Sequence, residues 1–292
     1  MKVFYSPDYV ASGTSFDTTR KSGWIAESLA KKPIAGVELV APEPLTVDQI
    51  AAVHDRVYVE AVQSGKPKDL AESQGFDWDP GMWRAVTASN GGAVAAARAA
   101  LKDGVSGSLS SGLHHARREC GAAYCTFNGL VIAAATVIAE GAESVLIIDL
   151  DAHCGGGTHS MIEETERIQQ MDVSVNAVDA YWMNHGNTLD LVRDAEKYLP
   201  TIRERLDGMT RSFDLILYNA GMDPDERCQV GGLPGINAGI LRRREQIVFE
   251  WAKSRQIPVA FVLAGGYSGS ELPQDELVRL HRMTLECALR TV

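Results

Sequence analysis

The 292-residue sequence predicts an α/β protein built on a mainly parallel sheet with helices on both faces. Three observations predict it. Short apolar runs alternate with helical patterns along the whole chain, the order expected of parallel strands joined by crossover helices. Residues 144–150 and 213–219 are nearly continuous apolar runs, as strands buried on both faces are. Three such runs lead straight into polar side chains, in Asp149-Leu150-Asp151-Ala152-His153, Ala220-Gly221-Met222-Asp223 and Gly265-Gly266-Tyr267. The carboxyl edge of an open α/β sheet is where sites sit.

Taken in order, strands are expected at 3–5 and 37–40, with a helix over 19–31 presenting Trp24, Ile25 and Leu29 on one face. Thr46 is a plausible N-cap for a helix carrying Ile50, Val53 and His54, and a further helical piece begins at 58–62. Residues 69–80 read as a polar surface loop. A long Ala-rich helix over 82–101 is nearly all apolar and therefore largely buried. A Ser/Gly loop at 104–112 leads to His114-His115, and a second Ala-rich helix over 127–140 stops at Gly141. After the strand at 144–150, three glycines turn the chain into a helix at 159–166. A strand at 173–176, an aromatic loop at 180–188 and a helix over 189–206 follow. The strand at 213–219, a helix at 240–254, the strand at 258–264 and a helix at 275–290 complete the pattern. No repeat, linker or charge block interrupts it, so one domain over 1–292 is expected.

Hydrophobic residues make up 45% and charged residues 23%, a globular balance. The formal net charge of −10 and the lack of a basic patch disfavour nucleic acid and lean toward small cationic partners. Five cysteines, an odd number with no C-x-x-C pair, suit neither a disulfide framework nor a structural zinc site. Residues 1–7 lack an apolar signal segment and no run is long enough to span a membrane, so a cytoplasmic protein with no membrane partner is expected. Oligomeric state is left open.

The candidate chemistry is that of a metal-assisted hydrolase. Asp151 and His153 are two residues apart, so an extended backbone points both to one side. With Asp223 they form a set of one imidazole and two carboxylates, suited to a divalent ion of the zinc or iron kind and leaving room for water and substrate. His114 and His115 are placed to move protons, Asp149 to orient one of them, and Tyr267 to donate to a developing oxyanion.

These segments together resemble the histone deacetylase superfamily, which includes acetylpolyamine amidohydrolases and related bacterial deacetylases. GLHHA at 112–116, DLDAHCGGGT at 149–158, AGMDPD at 220–225 and LAGGY at 263–267 fall in that family's order. The resemblance implies a three-layer α/β/α arginase/deacetylase fold with a central, mainly parallel eight-stranded sheet. It implies Zn²⁺ or Fe²⁺ on Asp151, His153 and Asp223, and a substrate that is an acetylated small molecule or acyl-lysine. It makes His115 the general base, pairs Asp149 with His114, and gives Tyr267 the acyl carbonyl. Tyr124 is implied as a wall of the acyl tunnel, with Trp182 or Tyr181 opposite and Asp77, or else Asp79, at the rim. The strand around Ser174 resembles a monovalent-cation site, making K⁺ a candidate.

The sequence departs from the family at three places. Gly156 stands where an Asp or Asn is usual, so His115 is expected to lack its carboxylate. Cys154 replaces a second histidine, and Ser15-Phe16-Asp17 replaces an HPE-type motif. Two alternatives stay open: a two-metal arginase-like ureohydrolase, favoured by Asp225 but not by Gly155, and a catalytically weak acyl-ligand binder, motivated by Gly156.

Overall fold

The structure, a computed structural model, describes residues 1–14, 16–184 and 186–290. Ser15 of the departing segment lies outside the described residues, as does His185 of the aromatic loop. Among the described residues the strands are β1 (Lys2–Phe4), β2 (Glu38–Val40), β3 (Val105–Ser108), β4 (Val145–Asp149), β5 (Ile168–Ser174), β6 (Thr188–Leu191), β7 (Leu215–Asn219) and β8 (Val259–Val262). They form one sheet in the order β2-β1-β3-β8-β7-β4-β5-β6, and every pairing is parallel.

Side-chain alternation along the central strands divides the interior in two. Leu146 and Ile148 of β4 face one core with Ile25 of α1 (Asp17–Lys31), Ile202 of α8 (Ala195–Asp207), Val248 of α9 (Ala238–Arg255) and Leu277 of α10 (Gln274–Leu289). Val145 and Ile147 face the other, with Val59 of α3 (Arg56–Ser64), Val94 of α5 (Pro80–Asp103) and Ile132 of α6 (Gly129–Ala139). The sheet is thus covered on both faces, in the α/β/α layering expected. Three shorter helices, α2 (Val47–Ala51), α4 (Lys68–Ala71) and α7 (Gly156–Ile162), line the connections. Thr46 caps α2 through a capping box with Gln49. No helix is long and apolar enough to cross a membrane, among the described residues.

Three strands differ from the sequence reading. β5 runs over Ile168–Ser174, beginning five residues before the expected 173–176. β3 lies within the expected Ser/Gly loop: its Val-Ser-Gly-Ser run has no large apolar residue, and an added Cβ at Gly107 would lie 2.2 Å from the Phe261 ring. Packing against β8, not local propensity, makes it a strand. β6 takes the first residues of the expected helix over 189–206, which begins only at Ala195, after the N-cap Asp194.

Candidate active site

The site is assembled where β4, β7 and β8 end. β4 and β7 pair in register with Asp149 beside Asn219, so the residues just past them are neighbours. Asp151, His153 and Asp223, all buried, bring one ligand atom each to within 4.8 Å of one another. His153 Nδ1 is 3.1 Å from Asp151 Oδ1 and 3.2 Å from Asp223 Oδ2, so Nδ1 is the nitrogen that faces the carboxylates. Backbone amides hold the acids in place. Gly265 N–H donates to Asp151 Oδ2 at 2.6 Å, His153 N–H to Asp151 Oδ1 at 3.0 Å and Ala152 N–H to Asp223 Oδ1 at 3.1 Å. A Cβ at Gly265 would fall 2.2 Å from Asp223 Oδ2, so the close approach of the chain after β8 needs glycine there.

This cluster is charge-rich and buried. Burial and the like charge of Asp151 push Asp223 up to about 6, while Asp151, despite its burial, is held well below the usual carboxylate range by His114 and His153. Burial would drive His153 down, but Asp151 and Asp223 override it and lift it to about 10. The pocket therefore favours positive charge. Asp223 Oδ2 is buried and accepts no hydrogen bond in spite of its nearness to His153. An orphaned carboxylate oxygen in such a set of one nitrogen and two acids fits a divalent cation.

The connection after β3 brings in the histidine pair, with Leu113 in the left-handed region at φ 55°. His114 and His115 are buried, and their Nε2 atoms are 3.1 Å apart. His114 Nδ1 lies 2.8 Å from Asp149 Oδ2, itself steadied by donation from Asn219 Nδ2 at 2.8 Å and from Asp151 N–H at 3.2 Å. Burial would lower His114, but Asp149 and Asp151 raise it to about 10. His115 moves the other way, lowered by burial and by the charge of His114. The hydrogen bonds assign one consistent protonation: both rings donate from Nδ1, and His114 carries the extra proton toward a neutral His115.

The expectation that His115 lacks a carboxylate is corrected by the structure. Its Nδ1 lies 2.9 Å from Asp179 Oδ2, in the connection between β5 and β6. The sequence signal for Asp179 was indirect: a buried imidazole needs a partner, and Gly156 does not provide one.

Tyr267 lies across the cluster, its ring centroid 6.5 Å from that of His153, and burial together with Asp223 and Asp151 pushes its phenol far up, so it stays a donor. Phe16 packs on both Tyr267 and Tyr124, with centroids 5.0 and 4.9 Å away, and Phe76 packs on Tyr124 at 5.0 Å. Phe16 and Phe76 are the aromatic neighbours of Tyr124 that the sequence reading missed. Tyr124 is half-exposed and has φ 66°.

The opposite wall is corrected. Trp182 is 92% exposed and has no ring partner among these aromatics. Tyr181 turns away, stacked on His159 at 4.2 Å and donating to Thr188 O at 3.1 Å. An aromatic in a Gly- and Asn-bearing loop carries no signal of direction, which is why neither was placed correctly. Asp77 is exposed beside Phe76, whereas Asp79 is occupied: it caps α5 through Gly81 N–H at 2.7 Å and accepts from the hydroxyls of Ser12 and Thr14.

Asp225 is buried and already paired with Arg227, whose Nε and Nη2 donate at 2.8 and 3.1 Å. The described residues hold no metal-type cluster besides Asp151, His153 and Asp223. Cys125, Cys154 and Cys228 are buried thiols pushed up to about 12 by burial, which leaves no cysteine nucleophile at the site.

Residues 16–280 match the family described as the histone deacetylase domain. An uncharacterised protein of Picosynechococcus is 30% identical over 224 residues, covering 74% of each chain. Histone deacetylase 2 of Arabidopsis thaliana is 28% identical over 206 residues, covering 67% of this chain and 53% of that protein. Human histone deacetylase 1 is 23% identical over 257 residues, covering 80% of this chain and 53% of its own length. The chain thus spans about half the length of these two deacetylases. Among solved structures, acetylpolyamine aminohydrolase from Burkholderia pseudomallei superposes with a TM-score of 0.79 at 17% identity, covering 98% of both chains. The HDA15 HD domain superposes with a TM-score of 0.80 at 18% identity, covering 99% of this chain and 91% of that one.

Proposed function

Because the chain belongs to the histone deacetylase domain family, we propose that it is a single-domain, single-metal amidohydrolase that removes an acyl group from an amine. The observation that carries this is the convergence of the Asp151, His153 and Asp223 ligand atoms within 4.8 Å, beside the paired ε-nitrogens of His114 and His115. Those three residues would hold Zn²⁺, or Fe²⁺ with the same donor set. Bound there, the ion supplies Lewis acidity: it acidifies a water and polarises a carbonyl.

The chain's own residues do the rest. His115, neutral and buried, takes a proton at Nε2 from the attacking water. His114, carrying its proton toward the same spot and balanced by Asp149, offers positive charge and a proton for the departing amine. The Tyr267 hydroxyl donates to the oxygen that gains charge as the carbonyl is attacked. Phe16, Phe76, Tyr124 and Tyr267 pack on one another with neighbouring centroids about 5 Å apart, a continuous aromatic surface beside the cluster that suits contact with the methylene chain of an acetyl-lysine or an acetylated polyamine. Near β5, the Ser174 hydroxyl lies 3.1 Å from the His153 carbonyl beside buried Asp172, which supports K⁺ as a second, structural ion.

The ureohydrolase reading loses its one support, because Arg227 already pairs with Asp225. The weak-binder reading loses its motive, because Asp179 sits where His115 needs a carboxylate. The unpaired cysteines support a reducing, cytoplasmic setting. The test is metal analysis of the purified protein together with hydrolysis of acetyl-lysine peptides and acetylpolyamines. About one zinc or iron per chain with release of acetate is the expected result. Two zinc or iron ions per chain, or no acetate from any acylated amine, would contradict it.

A further inference from the structure

We infer that Asp179 is the positioning residue of His115, and that it has taken over this task from position 156. The inference rests on the hydrolase reading above and adds a residue that no motif near the histidines supplies. Four observations lead to it. Asp179 Oδ2 is 2.9 Å from His115 Nδ1 and also accepts from Gly157 N–H at 3.0 Å. The other oxygen accepts from Arg117 Nη2, and Arg117 in turn donates from Nη1 to Gly156 O at 3.0 Å. Asp179 has φ 62°, the left-handed region that few non-glycine residues other than Asp and Asn adopt. Lastly, a Cβ at Gly156 would fall 2.3 Å from Asp179 O and 2.6 Å from Asp179 Oδ1.

The last observation makes the arrangement exclusive. A side chain at 156 and the Asp179 carboxylate compete for one space, so an acid at 156 and this placement of Asp179 exclude one another. The carboxylate now comes from 64 residues beyond His115 in sequence. It keeps the Nδ1–H tautomer of the ring and leaves the Nε2 lone pair for proton transfer. The hydrogen bonds of Asp179 run to His115, Arg117 and Gly157, and of these only His115 is placed in the chemistry, so Asp179 acts on the reaction through His115.

The test has a structural and a kinetic arm, each on the whole protein. In ¹⁵N NMR, the His115 ring of the wild type is expected to be protonated at Nδ1, and Asp179→Ala is expected to shift it toward a mixture of tautomers. A ring that is not Nδ1-protonated, or that ignores the substitution, overturns the inference whether or not the protein turns over any substrate. For whichever acetylated amine the wild type hydrolyses, Asp179→Ala is expected to lower kcat by roughly 10- to 100-fold, with KM and bound zinc unchanged. Asp179→Asn, which keeps an acceptor oxygen, is expected to lose less. Arg117→Ala is expected to lose least, since the contacts to His115 and Gly157 remain. Gly156→Asp alone is expected to lose activity through the clash, and Gly156→Asp combined with Asp179→Gly to regain part of it. An unchanged kcat in Asp179→Ala, or a loss seen only in zinc content, would show Asp179 to be a structural residue. Wild-type inactivity on every acylated amine would count against the hydrolase reading and leave the NMR arm to decide this one.

Discussion

The two adjacent histidines have mirror-image needs and differently built supports. Each gives Nδ1 to a carboxylate, at 2.8 Å for His114 and 2.9 Å for His115. Asp149, the partner of His114, is the last residue of β4, fully buried and fixed by the sheet register that sets Asn219 beside it. Asp179, the partner of His115, sits on a connection, 13% exposed at the side chain, and is held by Arg117, a backbone amide and a left-handed backbone. The same division runs through the whole site. Asp151, His153 and Asp223 follow strand ends and inherit their positions from the sheet. Phe16, Phe76, Tyr124 and Asp179 belong to connections, each with its own local anchors. Strand-end residues are placed in common and should fail together, whereas connection residues should fail one function at a time.

The largest expected effect belongs to the strand-end set. Asp223→Ala removes one of three converging ligand atoms and relieves the crowding of like charges, so zinc should be lost on dialysis and turnover should drop to background. A variant that keeps one zinc per chain would break the division, because a strand-end residue would then be dispensable. Next is Tyr267→Phe. It deletes one donor and nothing that the cluster rests on, so kcat should fall about 10²- to 10³-fold with metal content unchanged. Unchanged turnover would remove the phenol from the chemistry.

How far these parts were legible in the sequence follows the same line. The strand ends could be read because buried parallel strands leave an apolar run, and polar residues just past such runs need a reason to be there. Connection residues leave no periodic pattern. β3 was read as a loop because its small residues carry no strand signal until Phe261 packs on Gly107. Trp182 and Tyr181 drew attention as aromatics near the site, but only three-dimensional packing shows that Phe16 and Phe76 are the ones that face Tyr124. Asp179 was invisible because a hydrogen bond across 64 residues has no spacing rule, although the gap it fills at Gly156 was seen.

His54 sharpens the comparison on the connection side. It is 2% exposed, with Nδ1 2.8 Å from Arg117 O, and it accepts from Asn128 N–H at Nε2 at 3.0 Å. It thereby ties the segment that carries the His pair to the N-terminus of α6, and only a neutral ring can make both bonds. Burial lowers its pKa from 6.5 to about 4. On acidification the unfolded chain takes up this proton first, so the folded state loses stability as pH falls from 6.5 toward 4 and keeps it in full above 6.5. The loss over that window is roughly 3 kcal/mol. Denaturant melts at pH 7 and pH 4.5 in wild type and His54→Gln should show a smaller pH dependence in the variant. An equal dependence in both would place the acid sensitivity elsewhere.

The smallest effect expected is at the aromatic walls, and it separates two residues that the sequence reading treated alike. Phe16 packs between Tyr124 and Tyr267, whereas Trp182 stands out in solvent. Phe16→Ala removes one aromatic contact from the proposed substrate surface, which would hold substrate equally before and during reaction, so it should raise KM about three- to tenfold, the weight of one aromatic contact, and leave kcat near the wild-type value. Trp182→Ala should leave both constants unchanged for a small acetylated amine. If instead Trp182→Ala raises KM and Phe16→Ala does not, the substrate enters along the β5–β6 connection. The segment carrying Asp179 would then touch substrate as well as His115, and connection residues could no longer be counted as failing one function at a time.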